Sequence, residues 1–269
     1  MTQNSSGISR NLHNVPLQGK GTEVKRTEQE GSLSLAWRCR NCGCMNLTTR
    51  CHQCGALDEP SVGPGLGPWL FDGAAGEIDG IERWGRDSAV FRDVTDGDTT
   101  FLVAALPLDV TRWVLEPLTR RVAQTLGGTV QMRHLFARLS TTTRDASLRI
   151  HTDYGMGATY ACVLYCGDAP EEGPGTEEYG TGFFRHHTHG AYAPDTLSAA
   201  AHDRLLREEA GCASAWTPLW VCPMQRNRLL VYPASAFHAR VPAAGWGTTQ
   251  QDGRLVMAGF FDVLTGRKG

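Results

Sequence analysis

The sequence predicts a mainly β domain of the sandwich or barrel class, with flanking helices. Short segments rich in β-branched or aromatic residues, each bounded by Gly, Pro or Asp, fall at 157–166, 180–184, 228–232 and 254–263. Two further segments, 107–126 and 195–210, have helical spacing followed by a glycine. Many short strands with Gly- and Pro-containing turns are typical of sandwiches and barrels.

The first helix is the clearer of the two. Its apolar residues recur at helical spacing, and Gly127 and Gly128 follow as a stop; these apolar residues are Val110, Val114, Leu118 and Val122. Because proline removes a backbone donor, Pro117 should kink or divide this helix.

Composition limits the classes of function. The chain has 269 residues and a net charge of −2, so its overall charge does not attract nucleic acid or membranes. No apolar run approaches the roughly 20 residues that span a bilayer, and the polar N-terminal residues argue against a secretory signal. We therefore expect a cytoplasmic protein, in which the nine cysteines are metal ligands or buried thiols.

The chain divides into four segments by composition. Residues 1–32 are polar and predict a disordered arm, and 33–59 contain a cluster of cysteines. Residues 60–68 hold three prolines and three glycines, which is typical of a linker. The β domain then occupies 69–269.

The cysteine cluster predicts a structural zinc site. Cys39 and Cys42 form one Cys-x2-Cys pair, Cys51 and Cys54 form another, and a glycine follows each pair. Two such knuckles supply four thiolates and close the tetrahedral shell of Zn(II), which leaves no position for chemistry. Cys44 breaks this spacing, so we interpret it as a spare thiol.

This segment resembles the zinc fingers of the Ran-binding-protein type. Trp37, the Cys39 and Cys42 pair, Asn46 and the second cysteine pair carry the resemblance. It implies a protein or single-stranded RNA partner. The basic residues of the finger permit phosphate contacts, but we favour a basic face on a protein-docking module.

A second metal site is predicted in the β domain. His151 and Asp153 form a His-x-Asp pair at a strand end, where residues i and i+2 point to the same face. His238 follows a hydrophobic strand and a proline-containing turn, and is the best third ligand. Two imidazoles and one carboxylate that leave positions open suit non-haem iron(II).

Residues 138–263 resemble the iron(II)/2-oxoglutarate-dependent oxygenases, whose fold is a double-stranded β-helix, that is, a jelly roll of the cupin-like type. The resemblance rests on His-Thr-Asp-Tyr at 151–154, Gly-Thr-Gly-Phe at 180–183 and the Tyr-Pro element at 232–233 before His238. It implies Fe(II) on His151, Asp153 and His238, and oxidation of a substrate coupled to decarboxylation of 2-oxoglutarate.

The resemblance also implies a basic residue that pairs with the distal carboxylate of 2-oxoglutarate. Arg254 opens the last apolar strand and is our prediction for this role, because a planar guanidinium holds a carboxylate bidentately. Arg240 is the alternative, but it lies close to His238 in sequence.

Candidates for substrate contact are Arg185 and His187, in a run that we expect at the barrel mouth, and Tyr154, which could instead be a half-buried aromatic residue that packs in the barrel. The histidine-rich run 186–189 leaves a further metal site open as an alternative. The substrate is expected to be a small molecule, amino acid or peptide. Two other functions stay open: a non-redox, metal-dependent enzyme of the cupin type, and an RNA- or protein-binding module on a degenerate barrel. An Arg254 that faces away from the metal would favour the first of these alternatives.

Overall fold

The computed structural model describes residues 37–38, 45–46, 68–96, 99–143, 149–171, 179–191, 198–243 and 245–264. The four cysteines of the predicted zinc finger lie outside these ranges. Within the cysteine-containing segment 33–59, the structure describes two short strands, β1 (Trp37–Arg38) and β2 (Met45–Asn46), which pair antiparallel.

The main domain alternates strands with three α-helices within the described ranges. In chain order the elements are β3 (Trp69–Phe71), α1 (Ile78–Arg83), β4 (Arg92–Asp96), β5 (Thr99–Ala105), α2 (Leu108–Leu126), β6 (Thr129–Ser140), β7 (Tyr160–Tyr165), β8 (Gly180–His186), α3 (Ala199–Glu209), β9 (Trp216–Pro223), β10 (Leu229–Pro233), β11 (His238–Val241) and β12 (Arg254–Leu264). Among the described helices, none combines the length and the apolar run needed to cross a membrane.

The two predicted helices are present. The apolar residues of α2 are buried at a spacing of one helical turn, and Gly127 ends the helix with φ at 70°. Pro117 lies inside α2, and the structure keeps one helix from Leu108 to Leu126, so of the two predicted effects, a kink or a division, the division does not occur. α3 is shorter than predicted; it begins after Ser198, whose side chain accepts a hydrogen bond from the backbone N–H of Ala201.

The strands form two antiparallel sheets that face each other. The large sheet has the order β3-β10-β7-β12-β6-β5-β4, and the small sheet has the order β11-β8-β9. His151 pairs with His238 through two backbone hydrogen bonds of 2.9 Å, which adds a short fourth segment to the small sheet beside β11. From β6 to β12 the chain therefore distributes eight segments over two sheets, which is a jelly roll, as the sequence predicted.

The large sheet carries a different cluster of side chains on each face. Leu229, Leu164, Leu255 and Met257 belong to the cluster that packs against α1 and α2. Leu230, Tyr165, Tyr232, Val256 and Phe260 belong to the cluster between the two sheets. This alternation follows from the twofold period of a strand. It fixes which side chains face the interior of the barrel.

Candidate metal centre

Backbone pairing positions the three predicted metal ligands. The reciprocal bonds between His151 and His238 place these two residues side by side on neighbouring segments of the small sheet. The backbone N–H of Asp153 donates to the carbonyl of Ala234 at 2.8 Å, which holds the next turn against the end of β10. A short 3-10 turn, Tyr154–Met156, then carries the chain away from the site.

The side chains of His151, Asp153 and His238 converge. One ligand atom of each lies within 4.8 Å of the other two. The Nε2 atom of His151 is 3.9 Å from Oδ1 of Asp153, and Nε2 of His238 is 3.3 Å from Oδ2 of the same carboxylate. Among the described residues, no other group of His, Cys, Asp and Glu has a geometry that could hold a metal ion.

Both imidazoles have the tautomer that metal binding needs. Nδ1 of His151 lies 3.0 Å from the carbonyl oxygen of Arg149, and Nδ1 of His238 lies 3.0 Å from that of Ala236. A carbonyl only accepts, so each Nδ1 carries a proton, and in the neutral form of each imidazole Nε2 is then the atom that can bind a metal. Burial lowers the pKa of His238 to about 4, which keeps this imidazole neutral near neutral pH.

Tyr232 is a polar residue of the site that sequence reasoning missed. Its hydroxyl donates to Oδ2 of Asp153 at 3.0 Å and lies 3.1 Å from Nε2 of His238. Burial, followed by the negative charge of Asp153, raises the pKa of Tyr232 well above its usual value, so the hydroxyl stays protonated. In the sequence this tyrosine is part of the strand and Tyr-Pro pattern that precedes His238. The period of β10, which puts Leu230 and Tyr232 on one face, is the signal that could have found it.

Arg254 lies at the start of β12, on the face of the large sheet that lines the barrel. Its exposed fraction is 5%, and its guanidinium lies 5.5 Å from the centre of the Tyr165 ring. Nη2 is 3.5 Å from Oγ1 of Thr181, and Nε has no hydrogen-bond partner. Burial lowers the pKa of Arg254, and no ion pair joins it to a carboxylate of the described residues. Within the part of the chain that the structure describes, this arginine is therefore a buried cation without an anionic partner.

Arg240, the alternative to Arg254, has a different environment. Its Nε donates to the carbonyl of Pro242 at 3.3 Å, and Nη2 donates to the carbonyl of Ala243. These contacts fold the side chain back onto its own turn.

The three candidate substrate residues lie at different positions. Tyr154 directly follows Asp153 and is 50% exposed. Arg185 is half-buried near the end of β8, opposite Thr217 of β9. His187 is exposed, and its Nε2 lies 3.1 Å from the hydroxyl of Thr217. Tyr154 is thus adjacent to the predicted metal ligands, whereas His187 contacts Thr217 of β9.

The sequence left a further metal site open at the histidine-rich run 186–189. In the structure this run makes contacts within the protein. Nε2 of the buried His186 lies 2.8 Å from Oε2 of Glu209 in α3, and Nδ1 accepts from the backbone N–H groups of Thr188 and His189. The ring of His189 stacks on that of His186 at 5.0 Å. These contacts tie β8 to α3.

Comparison with known proteins relates the fold to solved enzymes. No protein-family model matches the chain, and no curated protein matches it. The structure is similar to that of the epimerase SnoN in complex with Fe3+, α-ketoglutarate and nogalamycin RO, with a TM-score of 0.50, 16% identity, and coverage of 73% of this chain and 78% of that one. It also matches the non-haem α-ketoglutarate-dependent carbocyclase SnoK from nogalamycin biosynthesis (TM-score 0.48, 10% identity, 76% and 84% coverage). A third match is HygX from Streptomyces hygroscopicus with nickel, 2-oxoglutarate and hygromycin B (TM-score 0.46, 14% identity, 73% and 82% coverage). The class that fold and site define is a jelly roll with a His-Asp-His group that could bind a metal.

Proposed function

We propose that the protein is a non-haem iron(II)- and 2-oxoglutarate-dependent oxygenase that hydroxylates a small molecule, an amino acid or a peptide. One observation carries the proposal. The same barrel interior holds a His-Asp-His cluster whose Nδ1 atoms face carbonyl oxygens, and a buried arginine that has no carboxylate partner among the described residues.

The donor set fits iron(II). Two neutral imidazoles and one carboxylate are the ligands of facial-triad iron enzymes, which keep positions open for cosubstrate and dioxygen. When bound, iron(II) and 2-oxoglutarate would activate dioxygen, of which one atom would enter succinate as carbon dioxide is released and the other would hydroxylate the substrate. The residues of the chain hold the metal: carbonyl oxygens orient His151 and His238, and the hydroxyl of Tyr232 orients Asp153.

Arg254 fits the distal carboxylate of 2-oxoglutarate. A buried guanidinium without a counter-charge is costly, and a ligand carboxylate would remove that cost by forming charge-assisted hydrogen bonds. Thr181 offers a second hydrogen-bond donor for this carboxylate. Its Oγ1 accepts from the Tyr165 hydroxyl at 2.8 Å, so the hydroxyl proton of Thr181 can be donated to an acceptor. The position of Arg254 on the barrel-lining face supports the oxygenase over the non-redox alternative, for which an outward-facing arginine was the expected sign.

The substrate would enter beside Tyr154. The solved SnoN complex contains the small molecule nogalamycin RO, which supports a small-molecule substrate within the same fold. We assign Tyr154, Arg185 and His187 as candidate contacts.

For the N-terminal segment we propose a structural Zn(II) held by Cys39, Cys42, Cys51 and Cys54, which would dock a protein or RNA partner. Metal analysis of the purified protein should find one zinc per chain in addition to iron. Replacing Cys39 and Cys42 by Ser should remove the zinc and leave the iron. A zinc content that is unchanged in this variant would exclude the four-cysteine site.

The oxygenase is tested by the visible spectrum of the anaerobic protein. Metal-free protein is mixed with iron(II) and 2-oxoglutarate, and a weak metal-to-ligand charge-transfer band is expected. The band should be lost in His151→Ala and should need more 2-oxoglutarate in Arg254→Met. A protein that binds iron without giving the band would contradict the oxygenase and favour the non-redox, metal-dependent enzyme.

A further inference from the structure

The residue between the two neighbouring metal ligands has a buried contact of its own. Thr152 lies between His151 and Asp153, and only 8% of it is exposed. Its hydroxyl is 2.8 Å from Nε2 of His202, which is also 8% exposed and lies in α3. A hydrogen bond buried on both sides is not exchanged easily for water, so it fixes the position of Thr152.

A second contact joins α3 to the same segment. The backbone N–H of Ile150 donates to the carbonyl of Ala210, the residue after α3, at 3.2 Å. The side chain of Ile150 is buried in a cluster with Leu205 of α3. Along an extended segment, alternate residues point to opposite sides. Ile150 and Thr152 therefore face α3, while His151 and Asp153 face the metal cluster.

We propose that His202 is a positioning residue of the metal centre, which acts through the hydroxyl of Thr152 to fix the spacing of His151 and Asp153. The inference rests on the proposed metal site and deepens it. It concerns metal ligation alone, so it holds for any divalent ion at the cluster and does not depend on oxygen chemistry.

The protonation state of His202 suits this role. Burial lowers the pKa of His202, which keeps the imidazole neutral. Nδ1 lies 3.9 Å from Oδ1 of Asp203, so a proton on Nδ1 faces an acidic group and Nε2 is left as an acceptor for the Thr152 hydroxyl. The ring of Tyr154 lies 6.1 Å from the His202 ring, beside the exposed end of the ligand turn.

The test measures the affinity of the metal-free protein for Ni(II) by competition with a chromophoric chelator. Thr152→Val removes the hydroxyl at nearly constant volume, and His202→Leu removes the acceptor. Each is expected to weaken Ni(II) binding about tenfold, the lower end of the loss seen when groups behind metal ligands are removed. His202→Gln places an amide group near the position of Nε2 and should restore most of the affinity. The double variant should be no weaker than either single variant, because both remove the same bond.

Thermal unfolding of the metal-free variants separates positioning from general stability. Thr217→Val is the matched control, since it removes the exposed His187–Thr217 contact and should change neither affinity nor Tm by much. Thr152→Val with a lower Tm but a Ni(II) affinity within twofold of wild type would overturn the proposal, as would a His202→Gln variant as weak as His202→Leu. If His202→Leu does not fold, Thr152→Val is compared with Thr152→Ser, which keeps the hydroxyl. The proposal then requires weaker Ni(II) binding in Thr152→Val than in Thr152→Ser. Wild-type protein that binds no Ni(II) would overturn the metal site itself, and this inference with it.

Discussion

The two faces of the large sheet are built from the same strands but have opposite characters. On the face that packs against the helices, β12 contributes Leu255, Met257 and Phe261, each with an exposed fraction of 0%. On the face that lines the barrel, the same strand contributes Arg254, and β7 and β10 contribute Tyr165 and Tyr232. One face is closed and apolar, while the other accepts polar groups.

The difference shows how one sheet separates stability from chemistry. On the helix-facing side, each fully buried large apolar side chain stabilises the fold by about 1.5–3 kcal/mol. These side chains have no polar group whose burial would offset this stabilisation. The barrel-facing polar groups are buried with only a few partners, which costs free energy unless a ligand completes them. Substitutions on the two faces should therefore have different effects: loss of stability on the first, and loss of ligand binding on the second.

The largest effect is expected for a metal ligand. His238→Ala should weaken Ni(II) or iron(II) binding more than about 100-fold, because removing even a group behind a ligand costs about 10- to 100-fold. Isothermal titration of metal-free protein measures the effect. His189→Ala, a histidine outside the cluster, is the control and should bind as wild type. Equal affinities for His238→Ala and wild type would place the metal elsewhere.

The next largest effect is expected on the helix-facing side of the sheet. Leu255→Ala should lower the free energy of unfolding by about 2–5 kcal/mol, the usual cost of a cavity at a fully buried leucine. A Cβ placed on Gly85 would lie 2.5 Å from Cδ2 of Leu255, so the chain after α1 approaches this side chain closely. Urea denaturation measures the change, and Val90→Ala, at a residue that is 74% exposed, is the control. Metal affinity should stay within twofold of wild type; a parallel loss of both would mean that the two faces are not independent.

The same contrast explains what the sequence could predict. His151, Asp153 and His238 could be found because a metal site needs particular side chains at particular spacings, and the structure brings all three together. The 12-residue β6 was missed although it is the central neighbour of β12. Its buried positions are irregular because Arg138 and His134 lie on the barrel side among apolar residues, which hides the alternation that would identify a strand.

The contacts of the polar groups also escaped prediction, for a different reason. Tyr232 and Asp153 are far apart in sequence, and their hydrogen bond depends on the register of β10 with β7 and on the turn after His151. Neither the register nor the turn follows from local pattern. The same applies to Thr152 and His202, which meet only because α3 packs on the small sheet. The identity of a ligand is a local property, whereas its support is set by tertiary structure.

Arg254→Met is expected to have a smaller effect. It should lower the affinity for 2-oxoglutarate but raise the free energy of unfolding. Loss of the charged hydrogen-bond donor should weaken 2-oxoglutarate binding by about 1.5–3 kcal/mol, which is roughly 10- to 100-fold. Removing a buried charge that has no counter-ion among the described residues should raise the free energy of unfolding by about 1 kcal/mol. Arg254→Lys keeps the charge and should be intermediate in affinity. A variant that loses stability and keeps its affinity for 2-oxoglutarate would show that Arg254 is structural.

The smallest effect separates the proposed metal site from the proposed 2-oxoglutarate site. Tyr232→Phe removes the donor to Asp153 and should weaken Ni(II) binding about tenfold, since the carboxylate is then free to turn. Tyr165→Phe is a matched change on the same face of the sheet, but its hydroxyl donates to Thr181. It should leave Ni(II) affinity unchanged and reduce the affinity of the Ni(II)-loaded protein for 2-oxoglutarate. Because each variant removes one hydroxyl from a buried ring, any difference between them follows from which partner has lost its hydrogen bond. Equal losses of Ni(II) affinity in the two variants would show that the barrel interior responds as a single unit.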